Sequence, residues 1–136
     1  MTDPALRGRI AGDPYASRLG IELLDLGPGR ARAALTLTPD LLNFHGMPHG
    51  GAIFSLADAA FAAACNAGGR PAVALTVNIQ FLSPASLGAR LVAEARADRD
   101  GRRAGFYGIT VTAEDGTLVA TCQAVAIRHA PDPGAA

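Results

Sequence analysis

The sequence of 136 residues contains no tryptophan, and its aromatic residues are limited to five phenylalanines and two tyrosines. Apolar residues nevertheless make up 49% of the chain, and alanine is the most frequent of them. A hydrophobic core built from this composition must use small side chains. A chain of this length fits a single domain, and a short domain with small core residues has little room to enclose a large ligand pocket by itself.

Lysine is absent as well, so all twelve basic residues are arginine. This absence excludes Schiff-base chemistry and other reactions that need a lysine amine. Twelve acidic residues balance the arginines and give a formal net charge of zero. Because phosphate neutralisation dominates the affinity of proteins for nucleic acids, a chain without net positive charge is not expected to bind them.

The two cysteines, Cys65 and Cys122, lie in runs of small apolar residues without the spacing of a metal site or a disulfide framework. The first ten residues contain no apolar segment of the kind found in secretion signals. The longest apolar run, residues 52–67, is shorter than the about 20 residues of a membrane span and is interrupted by Asp58. We therefore expect a cytoplasmic protein without a membrane segment or a bound metal.

Hydrophobic periodicity and turn signals predict an α+β domain with one long helix between two groups of strands. A strand hairpin comes first, the long alanine-rich helix follows, and antiparallel strands complete the chain. The predicted helices cover residues 14–19 and 52–67, and the predicted strands cover 21–26, 31–38, 73–81, 90–99, 107–112 and 118–127. We expect residues 1–136 to form one domain, with 1–12 and 129–136 as flexible tails.

Asp58 is the one charged residue in the alanine-rich helix, which is apolar or small on every face. A helix that is apolar all round is buried all round, so a curled sheet is expected to cover it. Burying an unpaired carboxylate costs several kcal/mol. Asp58 either hydrogen-bonds a buried backbone or hydroxyl group, or it is a base or nucleophile held in a partly apolar cleft.

Gly50 and Gly51 stand directly before this helix, where the first backbone N–H groups have no acceptor within the helix. These N–H groups, together with the positive end of the helix dipole, suit a developing oxyanion. Gly50 and Asp58 are eight residues apart, or roughly 12 Å along a helix axis, so one carbonyl group does not reach both. Two antiparallel helices would bring Gly50 of one chain near Asp58 of another, which predicts an active site at a homodimer interface.

The segment NFHGMPHGGAIFSLADAAFAAACN, residues 43–66, resembles the signature of hotdog-fold acyl-CoA thioesterases, most closely those of the PaaI type. Its central part, from His49 to Asp58, matches the pattern H-G-G-x-x-F-x-L-A-D. The resemblance continues through the strand that ends in FLSP and covers roughly residues 20–128. It implies an antiparallel β-sheet wrapped around one long central α-helix. It also implies homodimers, usually paired into tetramers as dimers of dimers.

The resemblance also implies roles for residues of the segment. The aspartate of the LAD motif is the family's catalytic carboxylate, a role that falls on Asp58 as base or nucleophile. The glycine whose backbone N–H polarises the thioester carbonyl corresponds to Gly50, and Asn43 holds the position of the asparagine that orients the water or the carboxylate. His49 is expected to orient the thioester or its own loop. The adjacent Gly51 is assigned to the substrate site.

Other positions are open to two interpretations. Thr76 is the nearest candidate for the Ser or Thr that related enzymes place near the catalytic aspartate, or it is an ordinary strand residue. Phe54 suggests an apolar acyl pocket, although packing in the helix core explains it equally well. Arg99, Arg102 and Arg103 flank a predicted hairpin, where they either meet the phosphates of coenzyme A or form a solvated surface.

His45 and His49 are four residues apart, as metal ligands on a helix would be, but Pro48 lies between them and argues against a helix there. We expect no metal, and no cofactor apart from the coenzyme A of the substrate. The predicted function is hydrolysis of an aryl- or fatty-acyl-CoA, with a phenylacetyl-CoA-like substrate favoured, to the free acid and coenzyme A. The alternatives are a hotdog dehydratase acting on hydroxyacyl thioesters and a non-catalytic acyl-CoA-binding protein.

Overall fold

The computed structural model describes residues 1–129, which contain three α-helices, a short 3₁₀-helix and six β-strands. In chain order these are α1 (Pro4–Ala11), α2 (Pro14–Leu19), β1 (Glu22–Gly27), β2 (Arg30–Thr36), the 3₁₀-helix (Pro39–Leu41), α3 (Gly50–Asn66), β3 (Val73–Phe81), β4 (Arg90–Asp100), β5 (Ala104–Ala113) and β6 (Leu118–Ile127). Both predicted helices and all predicted strands are present, with ends shifted by a few residues. Apart from His129, the predicted C-terminal tail at 129–136 lies outside the described residues.

The six strands form one antiparallel sheet in the order β1-β2-β4-β5-β6-β3. Because side chains alternate between the two faces of a strand, every second residue points toward one side of the sheet. Small residues fill many of the inward positions on the central strands. The buried alanines of β2, β4 and β6 include Ala31, Ala33, Ala93, Ala95, Ala120, Ala124 and Ala126.

The long helix α3 crosses the inner face of this sheet and packs mainly on β2 and β4. Its buried residues include Ala52, Ala57, Ala60, Ala63 and Ala64. Small side chains on both surfaces let the helix approach the sheet closely while the interior stays well packed. The predicted α+β hotdog architecture, a sheet wrapped around one central helix, is confirmed. Among residues 1–129, no helix has the length and apolar character to cross a membrane.

The N-terminal segment is folded, which corrects the expectation of a flexible tail at residues 1–12. Asp3 caps α1 by accepting a hydrogen bond from the N–H of Leu6 at 3.1 Å, and Pro4 begins the first turn. The same Asp-Pro signature begins α2 at Asp13, and Gly20, with a φ of 86°, ends it. The sequence signal that predicted α2 was therefore also present before α1.

The C-terminal end of α3 is tied to its surroundings by two polar side chains. The buried guanidinium of Arg128 donates to the carbonyl of Cys65 at 2.8 Å and to the carboxylate of Asp100 at 2.9 Å. The side chain of Asn66 accepts from the N–H of Ala72 at 2.9 Å and donates to its carbonyl at 3.1 Å. These contacts supply partners near the helix end, where backbone carbonyls lack intrahelical donors. They hold α3 in place relative to the sheet.

β3 forms one edge of the sheet, and within the described chain it pairs only with β6. Val73, Leu75 and Phe81 on this strand are 56%, 59% and 54% exposed, although all three are large and apolar. An unpaired edge with exposed apolar side chains is normally protected by a further strand or by another chain. β3 is therefore the part of the sheet that most needs a partner.

Candidate active site

The start of α3 is shaped by His49, which is the N-cap residue. The Nδ1 atom of His49 accepts a hydrogen bond from the N–H of Gly51 at 2.8 Å. A Cβ atom at position 51 would lie 2.9 Å from this nitrogen, so glycine is required for the cap. Because Nδ1 is the acceptor, the neutral imidazole carries its proton on Nε2. His49 therefore fixes the helix entry and has an N–H donor left for a ligand.

Gly50, the first residue of α3, has a backbone N–H with no acceptor among the described residues. The ring of Phe81 covers Gly50, since a Cβ atom there would lie 3.3 Å from Phe81 Cζ. The two residues line a cleft of about 300 Å³, together with Met47, Ile53 and Leu82 among others. The unpaired N–H thus lies at the edge of an open and largely apolar cleft, where it is available to a carbonyl oxygen.

Asn43 organises the loop that leads into α3. Its side-chain oxygen accepts hydrogen bonds from the N–H groups of His45 at 2.9 Å and Met47 at 3.1 Å. Its own backbone N–H donates to the carbonyl of Met47 at 2.7 Å. The side-chain oxygen is therefore committed to the loop, and within residues 1–129 the side-chain NH₂ group keeps no such partner. That amide is the part of Asn43 able to donate to a water or a carboxylate.

Asp58 lies two turns along α3 from Gly50 and is half-buried. Burial raises the pKa of its carboxyl group, and the negative charge of Asp13 raises it further. No hydrogen bond to the carboxylate from within the described chain offsets this cost. A half-buried carboxylate without a partner is not a structural ion pair, which favours the functional interpretation of Asp58. The helix keeps its Cα atom about 12 Å from that of Gly50.

The structure does not bring all the predicted residues together. Phe54 is half-buried one turn before Asp58, on the same side of α3. Thr76 pairs with Val125 on the outer face of the sheet, whereas its neighbour Val77 packs inward against the core. Within one chain the sheet therefore separates Thr76 from Asp58. This placement favours the interpretation of Thr76 as an ordinary strand residue.

The predicted arginines lie at the far end of α3 from Gly50. Arg102 and Arg103 are exposed in the turn between β4 and β5, and Arg99 is exposed near the end of β4. Arg70 reaches the same turn, where its guanidinium donates to the carbonyl of Arg102 at 3.2 Å. Arg70 was not among the predicted residues, because its contact with Arg102 joins distant parts of the chain. The four residues form a basic cluster that suits phosphate groups rather than a reacting carbonyl.

Two hydroxyl groups join α2 to α3. The Ser55 hydroxyl donates to the carbonyl of Gly51 at 2.8 Å, and the Tyr15 hydroxyl lies 2.9 Å from Ser55 Oγ. Because the Ser55 proton is already used, Tyr15 is the donor of the second bond. The two bonds hold α2, and Asp13 at its start, beside the part of α3 that carries Asp58. This link was not predicted, and the available signal for it was a serine, Ser55, within an otherwise apolar run.

The cysteines and histidines of the described chain do not form a reactive or metal-binding cluster. In residues 1–129 there is no group of three or more His, Cys, Asp or Glu side chains that could hold a metal ion. Cys65 and Cys122 are free and buried, and burial raises the pKa of each thiol to about 11. Both thiols are therefore protonated at neutral pH and are poor nucleophiles.

Comparison with known proteins identifies the class to which this fold and site belong. A sequence model of the Thioesterase superfamily matches residues 45–120, which include all of α3 and strands β3 to β5. The matched segment also contains Gly50 and Asp58. The chain belongs to the thioesterase superfamily.

Within this superfamily the chain is similar to PaaI proteins. It is 41% identical over 108 residues to "Acyl-coenzyme A thioesterase PaaI" of Escherichia coli (strain K12), covering 79% of this chain and 77% of the relative. The structure of the E. coli PaaI protein from the phenylacetic acid degradation operon matches with a TM-score of 0.87 and 36% identity, covering 92% of this chain and 91% of that one. The structure of smu.793 from Streptococcus mutans UA159, bound to acetyl CoA, has a TM-score of 0.76 and 27% identity over 80% of this chain and 88% of that one. The predicted resemblance to PaaI-type hotdog thioesterases is confirmed.

Proposed function

We propose that the protein is an acyl-CoA thioesterase, which hydrolyses a thioester to a carboxylate and free coenzyme A. The class of activity is supported by the family and by a relative named acyl-coenzyme A thioesterase. The observation that carries the proposal is that α3 offers both an unpaired N–H at Gly50 and an unpaired, half-buried carboxylate at Asp58. Thioester hydrolysis needs a hydrogen-bond donor for the thioester oxygen, which the Gly50 N–H can supply, and a base or nucleophile, which the Asp58 carboxylate can supply.

The reaction can proceed in two ways with these groups. The Gly50 N–H donates to the thioester oxygen, which gains negative charge in the transition state. The Asp58 carboxylate either takes a proton from the water that attacks the carbonyl carbon, or attacks this carbon itself and forms an anhydride that water hydrolyses. In both routes the carbon–sulfur bond breaks and coenzyme A leaves as the thiol. The Asn43 amide orients the water or the carboxylate, and His49 donates from Nε2 to the thioester.

The proposed site is shared between two subunits. A carbonyl held by Gly50 is too far from Asp58 of the same helix, because about 12 Å separates their Cα atoms. The exposed apolar side chains of β3 support pairing of this edge with a second copy, and Phe81 on the same strand touches Gly50. Pairing of two β3 edges would place the two α3 helices side by side in opposite directions. Two such dimers would form the tetramer that the resemblance implies.

Mixing two inactive variants tests the shared site. Gly50→Pro removes the N–H donor with little strain, because proline suits the first helical position and the ψ of 132° at His49 suits the residue before a proline. Asp58→Asn removes the carboxylate. If each site combines Gly50 of one chain with Asp58 of the other, a heterodimer of these variants contains one intact site and regains about half of the wild-type activity per dimer.

The control for this mixture is Gly50→Ala, which introduces the same Cβ contact with Phe81 but keeps the N–H. We expect Gly50→Ala to retain much more activity than Gly50→Pro. Thiol release is measured on heterodimers purified with two different affinity tags. Verified heterodimers that remain as inactive as either parent would show that Gly50 and Asp58 act within one chain.

A change at Asp13 is expected to move the pH dependence of turnover. Asp58 must be ionised to act, so kcat/KM falls as the pH drops through its raised pKa. Asp13→Asn removes a negative charge that raises this pKa, and asparagine can still cap α2 as Asp13 does with the N–H of Ala16 at 2.9 Å. The acid limb of the profile should therefore shift to lower pH. Asp3→Asn, which changes the equivalent cap of α1, is the matched control and should leave the acid limb of the pH dependence of kcat/KM unchanged. Identical pH dependences for both variants would refute the effect of the Asp13 charge on the pKa of Asp58.

The remaining features of the substrate and its setting are also proposals. Arg102 and Arg103, with Arg70 and Arg99, would bind the phosphates of coenzyme A, because guanidinium groups bind phosphate through paired hydrogen bonds. A phenylacetyl-like acyl group is favoured by the similarity to a PaaI protein from a phenylacetic acid degradation operon. Coenzyme A esters are cytoplasmic compounds, and free cysteines suit that reducing compartment. Neither route requires a further cofactor.

Thiol release from a panel of acyl-CoA esters tests the proposed function directly. The panel spans acetyl, medium-chain fatty acyl, benzoyl, phenylacetyl and hydroxylated phenylacetyl esters. Tight binding without thiol release across the panel would favour a non-catalytic acyl-CoA-binding protein. Conversion of a hydroxyacyl-CoA to an enoyl-CoA without thiol release would favour a hotdog dehydratase.

A further inference from the structure

A second cavity lies between the N-terminal helices and α3, and the mechanism described above does not use it. Its volume is about 300 Å³. Its walls come from α1, α2, β1, β2 and the second half of α3, and most of the residues that form them are apolar. The apolar wall residues include Leu6, Ile10, Ala59, Ala62 and Ala63.

The cavity exists because α3 presents alanine toward α1. Ala59, Ala62 and Ala63 lie on this side of the helix, opposite Leu6 and Ile10. A longer side chain at any of the three alanine positions would fill part of the space. A group the size of a water molecule occupies about 30 Å³ in the liquid, so the cavity has room for about ten non-hydrogen atoms.

One end of this cavity lies beside the proposed site of reaction. Ala59 in its wall directly follows Asp58, and Asp13, which also lines the cavity, is the charged neighbour of Asp58. Arg9, Asp13 and Asn66 are the polar residues in the wall, and the Asn66 side chain is already hydrogen-bonded to Ala72. An apolar group attached to a carbonyl at Asp58 can therefore enter the cavity without displacing a buried polar group.

We infer that this cavity receives the acyl group of the substrate and selects apolar acyl groups of about six to ten carbon atoms, including phenylacetyl. The inference rests on the proposed function and names the substrate class. With the carbonyl at Asp58, the acyl chain extends along α3 past Ala62 toward Leu6. The volume covers only part of a fatty acyl chain of about sixteen carbons, so such a chain gains less from burial per carbon atom.

Variants that fill or enlarge the cavity test this assignment. Ala62→Leu adds three carbon atoms at an exposed wall position, so the core is not disturbed. Leu6→Ala removes three carbon atoms from the opposite wall. Ala5→Leu is the matched control, because Ala5 is an exposed alanine of α1 that does not line the cavity. The substrates are straight-chain acyl-CoA esters from acetyl to dodecanoyl, with phenylacetyl-CoA added.

For the wild type, kcat/KM should rise about fourfold per added methylene until the cavity is filled, as expected for burial of one methylene. Ala62→Leu should shorten the preferred chain by about three carbons and lower kcat/KM for octanoyl-CoA by roughly 50-fold. The acetyl-CoA value should stay within about threefold of wild type, because the acetyl methyl group does not reach Ala62. Leu6→Ala should lengthen the preferred chain, and Ala5→Leu should leave the preference unchanged.

An unchanged chain-length preference in both Ala62→Leu and Leu6→Ala, or an equal loss for every chain length, overturns the inference. Binding of acyl-CoA analogues in which a methylene replaces the thioester sulfur separates this result from the proposed function. If the wild type hydrolyses no ester but Ala62→Leu still shifts the chain-length dependence of binding, the thioesterase proposal fails and the acyl cavity stands. If hydrolysis occurs and the chain-length dependence of neither turnover nor binding shifts in the variants, the cavity assignment fails and the thioesterase proposal stands.

Discussion

Asp58→Asn is expected to lower kcat/KM for acyl-CoA hydrolysis by about 1,000-fold. Asparagine has nearly the same shape as aspartate, but it cannot take a proton from water or form an anhydride with the acyl group. Binding of coenzyme A should remain within about threefold of wild type, because the proposed phosphate contacts lie at the basic cluster rather than at Asp58. Thiol release and coenzyme A binding, measured on the same preparations, separate the loss of chemistry from a loss of binding.

The same substitution is expected to stabilise the fold at neutral pH. Burial and Asp13 raise the pKa of Asp58 above its value in the unfolded chain. The stability associated with the protonated carboxyl is fully present below the unfolded-state pKa and is lost as the pH rises through the folded-state pKa. The asparagine side chain does not ionise, so the variant does not lose this stability as the pH rises. The free energy of unfolding of Asp58→Asn should therefore exceed that of wild type by more at neutral pH than at acid pH.

Urea unfolding at two pH values measures this second effect, and both proteins are compared at one protein concentration because association would affect the result. Turnover within tenfold of wild type would remove Asp58 from the proposed mechanism. A variant that loses turnover and also stability at neutral pH would instead assign Asp58 a structural hydrogen bond, which was the alternative interpretation of the sequence.

Arg128→Ala is expected to lower the free energy of unfolding by about 2–3 kcal/mol. The Arg128 side chain is only 7% exposed, and it donates to Asp100 and to the carbonyl of Cys65. Asp100 itself is partly exposed, with 33% of its side chain accessible, so water can replace the guanidinium there, and the main cost is the lost hydrogen bond to the buried end of α3. Because the carbonyl at the end of α3 loses its donor, the effect should exceed that of an ordinary surface arginine.

Arg99→Ala provides the comparison for this prediction. Arg99 is an exposed arginine on β4, close in sequence to Asp100, and its removal should change the free energy of unfolding by less than about 0.5 kcal/mol. Denaturant unfolding of both variants and of wild type gives the difference directly. A loss below about 1 kcal/mol for Arg128→Ala would mean that solvent reaches the carbonyl of Cys65 well enough to replace the guanidinium there as well.

Much of the fold could be predicted because local signals agreed with the final structure. The alternation in β3 and the alanine-rich run of α3 each indicated one type of element. The candidate site could be proposed from the sequence for a related reason, since Asp58 is the one charged residue in a run that must be buried. Gly50 followed from the chemistry of a helix start, where N–H groups lack intrahelical acceptors.

The features of the candidate site that could not be predicted depend on contacts between distant parts of the chain. The Tyr15–Ser55 bond joins residues 40 positions apart, and the contact between Arg70 and Arg102 joins residues 32 positions apart. Neither leaves a periodic pattern in the sequence. The register irregularity in β3, between Ala74 and Thr76, is likewise not revealed by the alternation of side chains along the strand.

The alanines of α3 also bear on how the chain folds. Alanine has the highest helix propensity of all residues, and seven of the 17 residues of α3 are alanine. This segment can therefore form helix from local interactions, before the sheet exists. β3 is expected to join the sheet later, because its pairing with β6, for example of Val73 with Ile127, closes a long loop. The strand whose edge is proposed to pair with a second copy is thus among the last to join the sheet, so in the proposed dimer the shared site would assemble only after each subunit is complete.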